Sequence, residues 1–170
     1  MIKRVSLTNL TDALIFLLKG LYDAERKLQK AIPPCADGIQ AEPVKRVVDN
    51  YYESSGNKIL KLERVFNYLM TEPHGRSHDV MEKMIAHTNQ ILRYAANDRM
   101  RDVILLTCIQ NINYYKIAAY RNALLFSVEI GLDNVSDLLT DILEWETEAS
   151  REFAEAGLKL SGHLAGGASS

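Results

Sequence analysis

Apolar residues in this chain return every three or four positions through long stretches, and none of those stretches alternates strictly between apolar and polar residues. That spacing gives a helix an apolar face but leaves a strand without one, so the chain is restricted to amphipathic helices packed on one another. Four prolines and nine glycines are spread over 170 residues, so the helices must be long. The length corresponds to one domain, large enough to bury most of its unfolded surface without a disulfide or metal staple.

Helix 1 is expected to start after Thr8 or Asn9, whose side chains can accept from free backbone N–H groups, and to end before Pro33-Pro34. Its inward stripe is Leu14, Leu18, Leu21, Glu25, Leu28 and Ile32. Helix 2 runs from about Pro43 to Met70 with Val44, Val47, Val48, Tyr51, Ile59, Leu62, Phe66 and Leu69 inward, slightly weakened by Gly56. After the break at Pro73 and Gly75, Ser77 can cap helix 3, which extends to about Ala96 with Val80, Met81, Met84, Ile85, Ile91 and Leu92 on one side. Helix 4 spans Asp98 to about Ile130 and stops at Gly131; helix 5 starts near Asp133 or Asn134. Two long helices, a shorter one and two more long ones predict an all-α, ferritin-like four-helix bundle: two antiparallel hairpins with a fifth, shorter crossover helix. Residues 1–160 form this single domain, and 161–170 read as a small-residue tail that frays.

Several charged or polar residues break the apolar stripes. Ile109, Ile112, Lys116, Ala119, Ala123 and Phe126 share one face of helix 4, which places Lys116 inward. On helix 5, Glu146 falls in the stripe of Leu138, Leu139, Ile142, Ala149 and Phe153, as Glu25 does on helix 1. Ser54 and Ser55 flank the inward Tyr51, and Asn113 lies one turn before Lys116. A buried charge costs several kcal/mol unless paired, so one lysine between two carboxylates is the less costly arrangement. The alternative is that each charge sits at a stripe boundary, its stem packed and its head in water.

Four segments, "LTDALIFLLKGLYDAERKLQKAIP", "YYESSGNKILKLERVF", "YYKIAAYRNA" and "LLTDILEWETEASREF", resemble the bacterial YciE/YciF-like family of ferritin-like stress proteins. The resemblance extends to about residue 158 and implies a bundle whose four helices could supply ligands to two metal ions. It keeps the family's glutamates of helices 1 and 5 as Glu25 and Glu146. Where the family has His-x-x-Glu on helix 2 this chain has Tyr51 and Ser54, where it has two glutamates on helix 4 this chain has Asn113 and Lys116, and Ser150 replaces a further acid. A helix 2 register displaced by one residue brings Glu53 into play. The resulting expectation is that Lys116 replaces a metal, neutralising Glu25 and Glu146 while Tyr51, Ser54 and Asn113 take the remaining hydrogen bonds. No cofactor is expected on that reading. The alternative is a di-iron or di-manganese oxidase or oxidant-scavenging protein using Glu25, Glu53 and Glu146, against which the ammonium of Lys116 argues directly.

Other function classes find less support. A net charge of −2 with bases scattered among acids disfavours nucleic acid. No apolar run is long enough to span a membrane, the basic N-terminus lacks the continuity of a signal peptide, and a cytoplasmic protein is the simplest expectation. Cys35 and Cys108 lie in different segments without zinc-like spacing and read as reduced thiols. His74, His78, His87 and His163 read as surface residues, Met81 and Met84 as packing, and Tyr51, Tyr52, Tyr114, Tyr115 and Tyr120 as a cluster across helices 2 and 4. There is no nucleophile constellation and no phosphate-binding loop motif. The expected partners are a second copy, giving a homodimer, and an unidentified protein.

Overall fold

The computed structural model describes residues 6–165, with side chains described as far as residue 162. Five helices follow in order: α1 Leu10–Ala36, α2 Glu42–Tyr68, α3 Asp79–Leu92, α4 Asp98–Glu129 and α5 Asp133–Ala165. The described residues contain no strand. α1 pairs with α2 and α4 with α5; across the bundle α1 packs on α4 and α2 on α5, while α3 lies against α1 and α4 within the connection between hairpins. This is the ferritin-like four-helix bundle with a short crossover helix. No described helix is long and apolar enough to cross a membrane.

Local chemistry sets the helix ends. Asn9 caps α1, its side chain accepting from the Asp12 N–H at 2.9 Å, and Asp12 reaches back to accept from the Thr8 N–H and hydroxyl. α1 does not stop before Pro33-Pro34 but runs through both to Ala36. Both proline rings are exposed, so water can serve the carbonyls that lose their N–H partners, and the cost usual for an interior proline is reduced. The cap of α3 is His78 and not Ser77: its Nδ1 accepts from the Met81 N–H at 3.0 Å, while Ser77 accepts from Lys27. The helix also ends at Leu92, short of Ala96, and Val80 is exposed. α5 continues to Ala165, into the segment expected to fray; residues 166–170 lie outside the described residues.

The apolar interior consists of two clusters. One gathers Leu28, Ile32, Val48, Leu105, Ile109 and Phe153; the other gathers Leu14, Leu18, Leu62, Phe66, Leu139 and Ile142. On each long helix the switch from one cluster to the other falls beside a buried polar residue: Glu25 on α1, Ser55 and Lys58 on α2, Asn113 and Lys116 on α4, and Glu146 on α5. A polar layer therefore crosses the bundle at mid-length. At the far end, buried Asp102 accepts from the N–H groups of Gln40 and Ala41 at 3.0 and 2.7 Å, fixing the α1–α2 turn to α4.

Candidate functional site

The polar layer joins all four long helices through one lysine. Lys116 Nζ lies 2.7 Å from Glu25 Oε1 and 2.6 Å from Glu146 Oε1, and it donates to Tyr51 Oη at 3.1 Å. All four side chains are buried. Tyr51 Oη in turn donates to Glu146 Oε2 at 3.3 Å, and Asn113 donates to the same oxygen at 2.7 Å. Tyr120 donates to Glu25 Oε1 at 2.9 Å. Carboxylates and ammonium thus meet no bulk water; Glu146 Oε1 is held by ion-pair contact alone, and Asn113 Oδ1 has no hydrogen-bond partner.

Two positions differ from expectation. Ser54 is not part of the layer; it faces an outer groove, and the neighbouring Ser55 is buried and donates to Glu25 Oε2 at 2.8 Å. The inward register of α2 is therefore displaced by one residue, in the direction opposite to that needed for Glu53, which is exposed on the same outer groove beside Glu148 and Glu152. That register also buries Lys58, which reading the sequence missed. Lys58 Nζ stands 2.7 Å from Glu146 Oε1 and 4.7 Å from the Tyr51 ring centroid, without a well-directed hydrogen bond. The signal was available: Tyr51, Ser55, Lys58 and Leu62 follow steps of four, three and four, the same criterion that picks out Lys116. Ile59 fitted the apolar side almost as well and concealed it.

Of the five tyrosines, only Tyr51 and Tyr120 join the layer. Tyr52 and Tyr114 are exposed, and Tyr115 pairs with His78 Nε2 at 3.2 Å. His78 is not a surface residue; it is buried, and burial and then Arg76 push its pKa below the usual value.

The layer balances two carboxylates against two ammonium groups. Burial alone would raise the Glu146 carboxyl, but Lys116 and Lys58 overcome it and bring its pKa down to about 2. Burial likewise disfavours the charged form of Lys116, yet Glu146 and Glu25 hold its pKa well above the ordinary lysine value. For Lys58, burial and repulsion by Lys116 outweigh the carboxylates, and the pKa is lowered. A glutamate depressed from 4.5 contributes stability that is present above its unfolded value and lost as pH falls toward its folded one, here between about pH 5 and 2. Carboxyl-carbon NMR should accordingly show Glu146 still ionised at pH 4, where an unperturbed glutamate is more than half protonated; titration at the ordinary value would remove the two-lysine arrangement.

In ferritin-like di-metal bundles, two helices each give a glutamate and the other two each give Glu-x-x-His, with the pair three residues apart. Here the single glutamates are Glu25 and Glu146, and the pairs three apart are Ser55 with Lys58 and Asn113 with Lys116. The residues present do not fit two dications: the layer offers two carboxylates and no imidazole, and both i+3 places hold ammonium groups. The described residues contain no group of three or more His, Cys, Asp or Glu able to hold a metal ion.

Residues 9–160 match a family described as a domain of unknown function, DUF892. The chain belongs to this family. It is 24% identical over 143 residues to Protein YciF of Escherichia coli K12, covering 84% of this chain and 86% of that one. The crystal structure of the E. coli stress protein YciF superposes with a TM-score of 0.87 at 20% identity, covering 92% and 99% of the two chains. A structure of YcfI from Rhodopseudomonas palustris gives 0.85 at 21% identity over 91% and 97%. These structural likenesses show the fold.

Proposed function

We propose that this chain is a non-catalytic, metal-free member of its family, associated with stress and acting through binding or assembly, with an ionic layer in the place of a di-metal centre. The observation that carries this reading is the position of Lys116 Nζ, 2.7 and 2.6 Å from the two glutamates that a metal would need. Lys58 brings a second amino group to 2.7 Å from Glu146 Oε1. A cation entering this layer would meet two ammonium groups at contact distance, whereas the lysines already neutralise the carboxylates. The description of the E. coli relative as a stress protein supports the biological setting.

With the interior committed to this layer, action falls to the surface. Tyr114, Ala118, Leu125 and Val128 line the outer side of α4 at helical spacing and are all exposed, with the exposed Arg121 between Ala118 and Leu125 on the same face. Such a stripe suits side-by-side pairing of two copies into a homodimer in the cytoplasm, and it is also available to a protein partner. Sedimentation velocity should give a dimer that Leu125→Glu converts to monomer with unchanged helicity. A wild-type monomer at high concentration would remove the homodimer from this proposal.

A further inference from the structure

The loop after α2 passes over α1 and forms with it a recess of about 310 Å³, at the low end of small-molecule sites. Its walls carry Arg26, Lys27 and Lys30 from α1 and His74 and Arg76 from the loop. Asp23 is the sole carboxylate of the lining, and it is already engaged: it accepts from the His78 N–H at 2.7 Å and pairs with Lys27 at 3.0 Å. Lys27 spends its charge there and on Glu82. Among the described residues, Arg26, Lys30, His74 and Arg76 have no carboxylate within ion-pair distance. Asp79 is the acid whose field reaches Arg76.

The arrangement is built and not a chance of exposed side chains. Arg76 lies across Gly20, where even a Cβ would come within 2.5 Å of Nη1. Its guanidinium stacks 3.5 Å from the Phe16 ring centroid and donates to the Phe16 carbonyl at 2.5 Å. Gly75 supplies the left-handed backbone, at φ 101°, that turns the loop toward α1. Tyr22 forms the floor: its hydroxyl donates to Glu63 at 2.9 Å, and the His74 ring packs edge-on at 5.4 Å. Arg26 reaches the same hydroxyl at 3.5 Å.

We infer that this recess binds a small ligand carrying a phosphate or pyrophosphate group, held between Arg26 and Lys30 of α1 and Arg76 of the loop. Guanidinium groups match phosphate oxygens in geometry as well as charge, and Arg26 and Lys30, with no carboxylate within ion-pair distance, leave cationic groups free to meet an anion, beside an Arg76 whose guanidinium is anchored on Phe16. The chain as a whole is acidic, which disfavours a polyanion such as nucleic acid and favours a compact anion that fits inside. This inference stands on the loop and α1, and it is independent of the ionic layer.

Inorganic phosphate and inorganic pyrophosphate, each titrated at low ionic strength into nitrogen-15-labelled protein, distinguish the one-phosphate from the two-phosphate ligand by which binds more tightly. Saturable shifts of the Gly75 and Arg76 amides are expected. The double variant Arg26→Gln/Lys30→Gln, both changes at exposed positions, should weaken binding by about tenfold or more. Lys83→Gln/Lys159→Gln, the same loss of charge on other exposed surfaces, should leave it nearly unchanged. Absence of saturable shifts at those amides with either anion, or equal weakening in both double variants, would overturn the site.

Discussion

Lys116→Leu is expected to lower the unfolding free energy by about 3–5 kcal/mol, because it removes one partner from a buried ionic group and leaves the other charges in place. Lys116 is the cationic partner of Glu25 within ion-pair distance, and it shares Glu146 with Lys58. Leucine is shorter and apolar, so Glu25 would retain only the hydroxyls of Ser55 and Tyr120 around a carboxylate closed to water. The midpoint of urea unfolding, measured at neutral pH, reads this loss directly. Lys58→Met should cost less, since the ammonium it removes has one close carboxylate, no well-directed hydrogen bond and a lowered pKa. Replacing the charges together with their hydrogen-bonding neighbours, by Glu25→Leu, Glu146→Leu, Lys58→Met, Lys116→Met, Tyr51→Phe, Tyr120→Phe, Ser55→Ala and Asn113→Leu, should cost less than Lys116→Leu alone, because neither a charge nor one of these donors is stranded. If Lys116→Leu shifts stability by less than about 1 kcal/mol, the lysine is a boundary residue with a solvated head.

The second large effect is a gain. Ser55→Glu, Lys58→His, Asn113→Glu and Lys116→His together write Glu-x-x-His into α2 and α4 while keeping Glu25 and Glu146, which reproduces the ligand set of di-metal bundles. This variant should bind about two Co(II), Mn(II) or Fe(II) ions per chain where the natural sequence is expected to bind none, and Co(II) would report its coordination through its visible spectrum. Four carboxylates without metal would repel one another, so the metal-free form should melt well below the natural protein and recover on loading. A variant that remains helical yet takes up no metal would show that the layer lacks the geometry of such a site. Ser54, the position suggested by the family spacing on α2, would fail as a ligand position because it faces the outer groove.

How much of this was legible in the sequence depended on what each residue interrupts. Glu25, Lys116 and Glu146 could be picked out because each stands inside an otherwise apolar three-and-four repeat, and a helix gives such a residue no other direction to face. Lys58 obeys the same rule but neighbours Ile59, and with an apolar residue one position away the stripe of α2 can be drawn through either. That ambiguity of about 100° per residue is the same one that selected Ser54 over Ser55. Helix ends were readable where a side chain can cap, as at Asn9, and misread where tertiary contacts decide. His78 caps α3 because Asp23 and Tyr115 hold it there, which no local pattern announces. The basic recess was not legible for a related reason. Arg26 and Lys30 share a face of α1, but His74 and Arg76 join them only through the path of the loop.

If lysines take the place of a di-metal centre in this layer, the metal content of the protein shows it most directly. Protein purified without chelator, offered Fe(II) and Mn(II) anaerobically and desalted, is predicted to retain far less than one ion per chain by elemental analysis while remaining fully helical. Near-stoichiometric iron or manganese, lost on Glu25→Gln or Glu146→Gln, would contradict the account and return the polar layer to oxidative chemistry.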